Sequence, residues 1–360
     1  MKYNAKNERI KREYYQFLKE AKGRSQATID NVNKAINRFE KETNYLDFNK
    51  FNKNVAIAFK RKFSTQKSLK SGKLISKSTY TTTLRNLKEF FLWLRFKTGY
   101  KRIDIYHVEY LNPKESELKI ARSRKIKKYP TLDQIQAVIA SIKPISDVER
   151  RNRALIAFTL LTGMRDSAIA SLKLKHIYLE KKLVTQIPDE VKTKFSKSIN
   201  TFFFPVGDAI QTIVVEWIKH LKTRLLFGDN DPIFPRNKTI YNKDFTLNNK
   251  MVEPIHWASA SQIRVIFRNS FKNACIRYYP PHSFRTTLAL LGEQICQTPE
   301  QFKAWSQNLG HEQVMTTLMS YGQVDFRRQG EIIKNLSTTN KKSERELLEQ
   351  ILNKMENNSC

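Results

Sequence analysis

Between residues 112 and 128 a chain whose apolar side chains otherwise recur three and four apart loses that recurrence and becomes NPKESELKIARSRKIKK, ending in a dense basic cluster. A stretch without an apolar face has nothing to pack, and it reads as a solvated linker with a hinge. The chain is therefore expected to fold as two units, over 1–111 and 129–340, joined by the linker 112–128 and followed by a tail over 341–360. With 360 residues and 40% hydrophobic content, there is enough apolar material for two ordinary cores.

The first unit reads as helical. Ile10, Tyr14, Phe17, Leu18 and Ala21 form one stripe, and Ile29, Val32, Ala35, Ile36 and Phe39 a second. Leu84, Leu87, Phe91 and Leu94 form a third, ended by Gly99. The second unit opens with capping-box spacing, Thr131 with Gln134, ahead of Ile135, Val138, Ile139 and Ile142. Ser146 with Glu149 repeats the device before Leu155, Phe158 and Leu161. Thr298 with Gln301 does so again, with Pro299 at the first helical position, before Phe302, Trp305 and Leu309. The last two helices end at Gly163 and Gly310. LVTQI at 183–187, VKTK at 191–194 and TFFFPV at 201–206 have strand composition and fit a small antiparallel sheet. Further helices are marked by Ile210, Ile213, Val214, Trp217 and Leu221, and by Ile263, Ile266, Phe267 and Phe271. The fold class is mainly α (α+β): a helical first domain, then a mainly helical second domain with a small antiparallel β-sheet.

Charge points to the partner. The 65 Lys+Arg against 34 Asp+Glu leave a formal net charge of +31, of which +21 falls in residues 1–128. An excess of that size calls for a polyanion. Nucleic acid is the first candidate; a membrane surface is disfavoured because no run of about 18 apolar residues occurs and the basic N-terminus leads into no signal-type apolar core. A cytoplasmic location follows. From Lys50 to Lys88 there are eleven Lys/Arg and no acidic residue, which reads as a DNA-facing surface. Its candidate contacts are Lys60, Arg61, Lys62, Lys67, Lys70, Lys73, Lys77 and Arg85, with Arg124, Lys125 and Lys127 added from the linker. Cys275, Cys296 and Cys360 are an odd number without a close pair, and the His residues lack i, i+4 pairing, so neither a disulfide framework nor a metal site is readable.

Four short segments gather charged or nucleophilic groups at helix ends: TGMRDS, VKTKFSKS, HSFR and LGHEQVMTTLMSYG. Singly each is bland. Arg165 could satisfy helix carbonyls after the Gly163 stop, His282 and Arg285 could be surface residues, and Tyr321 is one of 14 tyrosines. Taken together and in this order, they resemble the tyrosine recombinase family of phage integrases and related resolvases. The family pattern falls on Arg165 after the TG turn, Lys192 in a β-hairpin, the H-x-x-R pair His282 and Arg285, His311 in an LGH segment, and Tyr321 about one helix later. The resemblance covers nearly the whole chain.

That resemblance implies a DNA strand transferase that works without metal, ATP or another cofactor. Tyr321 is the nucleophile toward a DNA phosphate, and Arg165 and Arg285 clamp its oxygens with planar, permanently charged forks. Lys192 is the general acid for the departing 5′ oxygen, with Lys194 as competitor. His282 assists proton movement at the tyrosine and His311 donates a hydrogen bond to the phosphate. It also implies a homotetramer on paired double-stranded DNA sites in bacteria, accessory DNA-bending proteins, and a role in integrating or excising a mobile element. Rival readings are a type IB topoisomerase with the same tyrosine chemistry, and a catalytically silent DNA-binding protein.

Three positions depart from the pattern. Ala168 stands where an acidic residue is common, so its orienting bond must come from elsewhere, with Asp166 as a substitute. The spacing from His311 to Tyr321 is ten instead of the more frequent nine, which turns the side chain about 100° further round an ideal helix. The stretch around 228–258 reads as a surface insertion. The tail carries a last stripe, Leu347, Leu348, Ile351, Leu352 and Met355, expected to dock on a neighbouring protomer or on its own domain.

Overall fold

A computed structural model describes residues 3–68, 72–123, 128–193, 197–241, 247–248 and 250–311. Contacts divide the chain into two compact units after Arg124.

The first unit contains α1 (Ala5–Gln16), continued by a π turn over Phe17–Ala21, α2 (Gln26–Glu42), α3 (Lys53–Ser64), α4 (Lys77–Leu94), α5 (Ile105–Glu109) and α6 (Glu115–Arg122). The three apolar stripes lie on α1 with its π turn, α2 and α4 and, apart from exposed Ala21, point into one aromatic core, where Phe51 stacks on Phe91 at 3.8 Å between ring centroids. The basic run holds more than a surface. Helix α3 buries Ala56, Phe59 and Phe63 at helical spacing, while its basic residues occupy the other faces. Helix α6 lies within 112–128, the segment that reads as a linker without periodicity. It buries no residue. It lies against α4, where the half-buried Glu117 takes the Lys77 ammonium at 2.8 Å, and Glu115 and Glu117 in its first turn, with Lys119 and Arg122 in its last, match the helix dipole.

The second unit is built round α8 (Asp147–Thr162), buried continuously from Ala154 to Thr162. Its stripe was readable, but burial on every side makes it the central helix. Around it stand α7 (Leu132–Ser141), the short α9 (Asp166–Ile169), α10 (Asp208–Thr223), α11 (Ser261–Asn273), α12 (Phe284–Ile295) and α13 (Pro299–Asn308). All three expected capping boxes are formed, at Thr131, Ser146 and Thr298. The strands β1 (Ile177–Tyr178), β2 (Leu183–Gln186) and β3 (Ile199–Phe202) pair antiparallel in that order, with Val184 opposite Thr201. Among the described residues of VKTK, Val191 to Thr193 form no strand and belong to the β2–β3 connection.

The 228–258 region carries two nested pairings, β4 (Arg236–Asn237) with β7 (Val252–Glu253) and β5 (Ile240–Tyr241) with β6 (Leu247–Asn248). It is anchored from α8: Arg151, 1% exposed, donates to the Pro235 carbonyl at 2.8 Å and to Asn237 Oδ1 at 2.7 Å, and its guanidinium lies over the Trp257 ring. Among the described residues, no helix is long and apolar enough to cross a membrane, and no three His, Cys, Asp or Glu side chains gather as a metal site.

Candidate active site

Helix α8 ends because Gly163 takes a left-handed conformation, φ 59°, and its N–H closes back on the Thr159 carbonyl. Two residues later the extended backbone at Arg165 starts α9. The Gly163 carbonyl, turned away from α8, accepts a hydrogen bond at 2.7 Å from Arg285 Nη1 on α12, 122 residues further along the chain. Arg285 Nη2 donates to the Leu309 carbonyl and lies 2.7 Å from His311 Nε2. A guanidinium only donates, so His311 Nε2 accepts and its ring proton sits on Nδ1.

The LGH turn is held on the sheet. Asn308, at the end of α13, accepts from the Phe202 N–H at 2.6 Å and donates to the Phe202 carbonyl at 2.9 Å. Leu309 is buried, and Gly310 adopts φ 68°. Trp305 donates to the Leu288 carbonyl and so fastens α13 to α12. His282 is exposed, in the 3-10 turn Pro281–Ser283 that leads into α12.

The electrostatics follow from burial. Burial pushes the Arg165 guanidinium below its ordinary pKa; burial, then Arg165, does the same to Arg285. His311 is held down to about 4, by burial first and then by Arg285, Arg165 and His282, so it is neutral at pH 7. These four side chains thus share one site. Among the described residues no carboxylate bonds Arg165 or Arg285. Asp166, the substitute for the acid missing at Ala168, pairs with Arg264 on α11 at 2.8 Å. Among the described residues the partners of Arg285 are two backbone carbonyls and the His311 ring.

The depressed imidazole sets a pH response. The unfolded chain takes up this proton near pH 6.5 and the folded chain only near 4, so the stabilisation is complete above 6.5 and lost as pH falls through that window. After discounting for solvent screening of a half-buried ring, wild type should lose about 1–2 kcal/mol more than His311→Asn between pH 7 and 4.5 in urea unfolding. His176 is depressed in the same direction in both proteins, so the difference isolates His311. Equal losses would mean that the ring is already charged in the fold.

Lys192 has an exposed side chain on the β2–β3 connection, and its N–H donates to Ser171 Oγ at 2.8 Å. Tyr321 and Lys194, the changed His311–Tyr321 spacing and the stripe after Asn340 lie outside the described residues, as do Lys70, Arg124, Lys125 and Lys127. Of the remaining basic candidates, Lys60 donates to the Asn112 carbonyl, Lys62 pairs with Glu42 and Lys77 with Glu117. The side chains of Arg61, Lys67, Lys73 and Arg85 form no ion pair among the described residues. Sequence reasoning missed Ser171 and Asn308, whose only signal was proximity in the chain to candidate residues.

The family model described as the phage integrase family matches residues 128–328. Among solved structures, a lambda integrase dimer bound to a COC′ core site matches with a TM-score of 0.57 at 13% identity, covering 89% of this chain and 99% of that one. The Tn1549 transposon integrase in complex with a circular intermediate DNA matches with a TM-score of 0.54 at 14% identity, over 91% and 99%. A lambda integrase tetramer bound to a Holliday junction matches with a TM-score of 0.57 at 13% identity, over 88% and 78%. At these identities the likeness is one of fold, mainly helical with a small sheet. A search of curated protein sequences returns no match.

Proposed function

This chain belongs to the phage integrase family of tyrosine recombinases, and from that premise we propose that it breaks and rejoins double-stranded DNA through a transient 3′-phosphotyrosine bond at Tyr321. The observation that carries the reading is a pair of desolvated arginines with no carboxylate partner among the described residues, one of them fastened by neutral carbonyls. A phosphodiester supplies the missing negative charge. Its non-bridging oxygens gain charge as the pentacoordinate transition state forms, and preorganised cations stabilise that charge most where water is excluded.

In this mechanism Arg165 and Arg285 hold the two non-bridging oxygens, and neutral His311 adds a hydrogen bond from Nδ1. The Tyr321 hydroxyl oxygen attacks phosphorus as the bond to the 5′ oxygen breaks. Lys192 protonates that oxygen, and exposed His282 relays the tyrosine proton. The phosphotyrosine bond conserves the energy of the broken one, so a 5′ hydroxyl of another strand reverses the attack without ATP. The basic residues of the first unit position the duplex through its phosphates, and two paired sites carry four protomers. The structural neighbours include a tetramer on a Holliday junction, which supports that assembly for this chain. Integration or excision of a mobile element is the setting proposed.

Covalent trapping tests the reading. Nicked suicide duplexes should convert wild type into a protein–DNA adduct on denaturing gels, and Tyr321→Phe should form none. An adduct formed by Tyr321→Phe assigns the nucleophile elsewhere. Relaxation of a plasmid lacking any site that traps the protein would favour a topoisomerase.

A further inference from the structure

We propose that Glu190 is a positioning residue for Lys192, holding the lysine loop in register with the arginine that starts α9; the inference rests on the reading of Lys192 as general acid. A general acid works only if its proton lies within hydrogen-bond reach of the leaving oxygen. An exposed lysine on a connection between strands has no such placement by itself.

The connection is fastened at three consecutive residues. Lys192 donates its N–H to Ser171, Val191 is buried at 1% exposure, and Glu190 inserts its carboxylate among three donors. Glu190 Oε1 meets Lys175 Nζ at 2.8 Å, and Oε2 meets His176 Nε2 at 3.0 Å and Lys173 Nζ at 3.4 Å. The His176 ring, 1% exposed, accepts the Lys173 N–H on Nδ1, so its proton sits on Nε2 and points at Glu190. Lys175 in first place, with Lys173 and His176, holds the Glu190 carboxyl at about 2, so it stays ionised across the working pH range.

The polar anchors, Ser171, Lys173, Lys175 and His176, all lie on the stretch that runs from α9 toward β1. Arg165 stands six residues before Ser171, at the other end of the short α9. A shift of the lysine loop relative to the arginine therefore requires breaking a carboxylate out of three donors, not merely rotating an exposed side chain. Ordinary fastening of the sheet would use the same contacts, and the leaving group separates the two roles.

The test compares single-turnover cleavage of the suicide duplex that traps wild type with the same duplex carrying sulfur in place of the 5′ bridging oxygen. A thiolate departs without protonation because thiols ionise near pH 8.5, far more readily than an alcohol. Glu190→Ala and Glu190→Gln are expected to slow the oxygen substrate about 10- to 100-fold, and to cleave the sulfur substrate within about twofold of wild type. Lys192→Ala should show the same selectivity. If Lys192→Ala is selective while the Glu190 variants slow both substrates equally, or neither, Glu190 does not position the acid. If Lys192→Ala slows both equally, the general-acid reading falls and this inference with it. Glu190→Gln keeps the side-chain volume, and a melt run in parallel separates slow cleavage from loss of fold.

Discussion

Arg285→Gln is expected to lower single-turnover cleavage by at least about 10³-fold while leaving unfolding free energy within about 2 kcal/mol of wild type. The two effects separate because the guanidinium is costly to the fold. It is 6% exposed and bonded to the carbonyls of Gly163 and Leu309 and to a neutral imidazole, and burial alone already pushes its pKa down. Removing a buried charge that has no counter-charge among the described residues returns several kcal/mol of desolvation, which offsets about 1–3 kcal/mol for each orphaned carbonyl. Glutamine can satisfy one carbonyl; it cannot supply charge to a phosphate. Urea unfolding and covalent trapping on the same samples check both halves. Cleavage within tenfold of wild type would remove Arg285 from the phosphate, and a loss above about 4 kcal/mol would show that its carbonyl bonds outweigh desolvation.

Gly163→Ala should destabilise the second unit by about 3 kcal/mol and slow cleavage about 10- to 100-fold. A left-handed backbone costs an L side chain about 1–2 kcal/mol. Here the new Cβ would also stand 2.8 Å from Leu288 Cδ1 and 2.9 Å from Leu309 Cδ2, both on buried residues. Relieving those contacts adds about 1–3 kcal/mol. Leu309 precedes the turn to His311 and the Gly163 carbonyl holds Arg285, so the strain falls on the site itself. Thermal melts and single-turnover trapping measure the two consequences. An unchanged melt would show that the two leucines move aside freely.

What could be read in advance follows from distance along the chain. Thr131, Ser146 and Thr298 announced their helices because each box closes within three residues. The residues brought together at Arg165, His282, Arg285 and His311 were legible as ordered motifs, although no spacing showed that Arg285 would rest on a carbonyl 122 residues away. Helix α6 escaped because it lies against α4 without a buried apolar stripe, tied there by the Lys77–Glu117 ion pair. The strand composition of VKTK misled because Val191 is buried without entering the ladder. Helix α3 was hidden by the basic run it sits in: its own four basic residues, Lys53, Lys60, Arg61 and Lys62, among the eleven from Lys50 to Lys88 drew the reading to the surface, while Ala56, Phe59 and Phe63 filled the core.

The arginine tether at Pro235 and Asn237 has a consequence for how such chains diversify. With Asn237 paired to Val252, the Pro235 carbonyl held by Arg151 and the Lys250 carbonyl accepting from the Val148 N–H of α8 at 3.3 Å, both arms of this excursion are fixed to the unit. Residues added between two fixed arms burden the rest chiefly through closure entropy, about 0.6 kcal/mol for each doubling in length. That makes an insertion beyond the inner Tyr241–Leu247 pair a tolerant graft point, where a descendant, or an engineer, could add a new recognition module without disturbing the centre that handles phosphate.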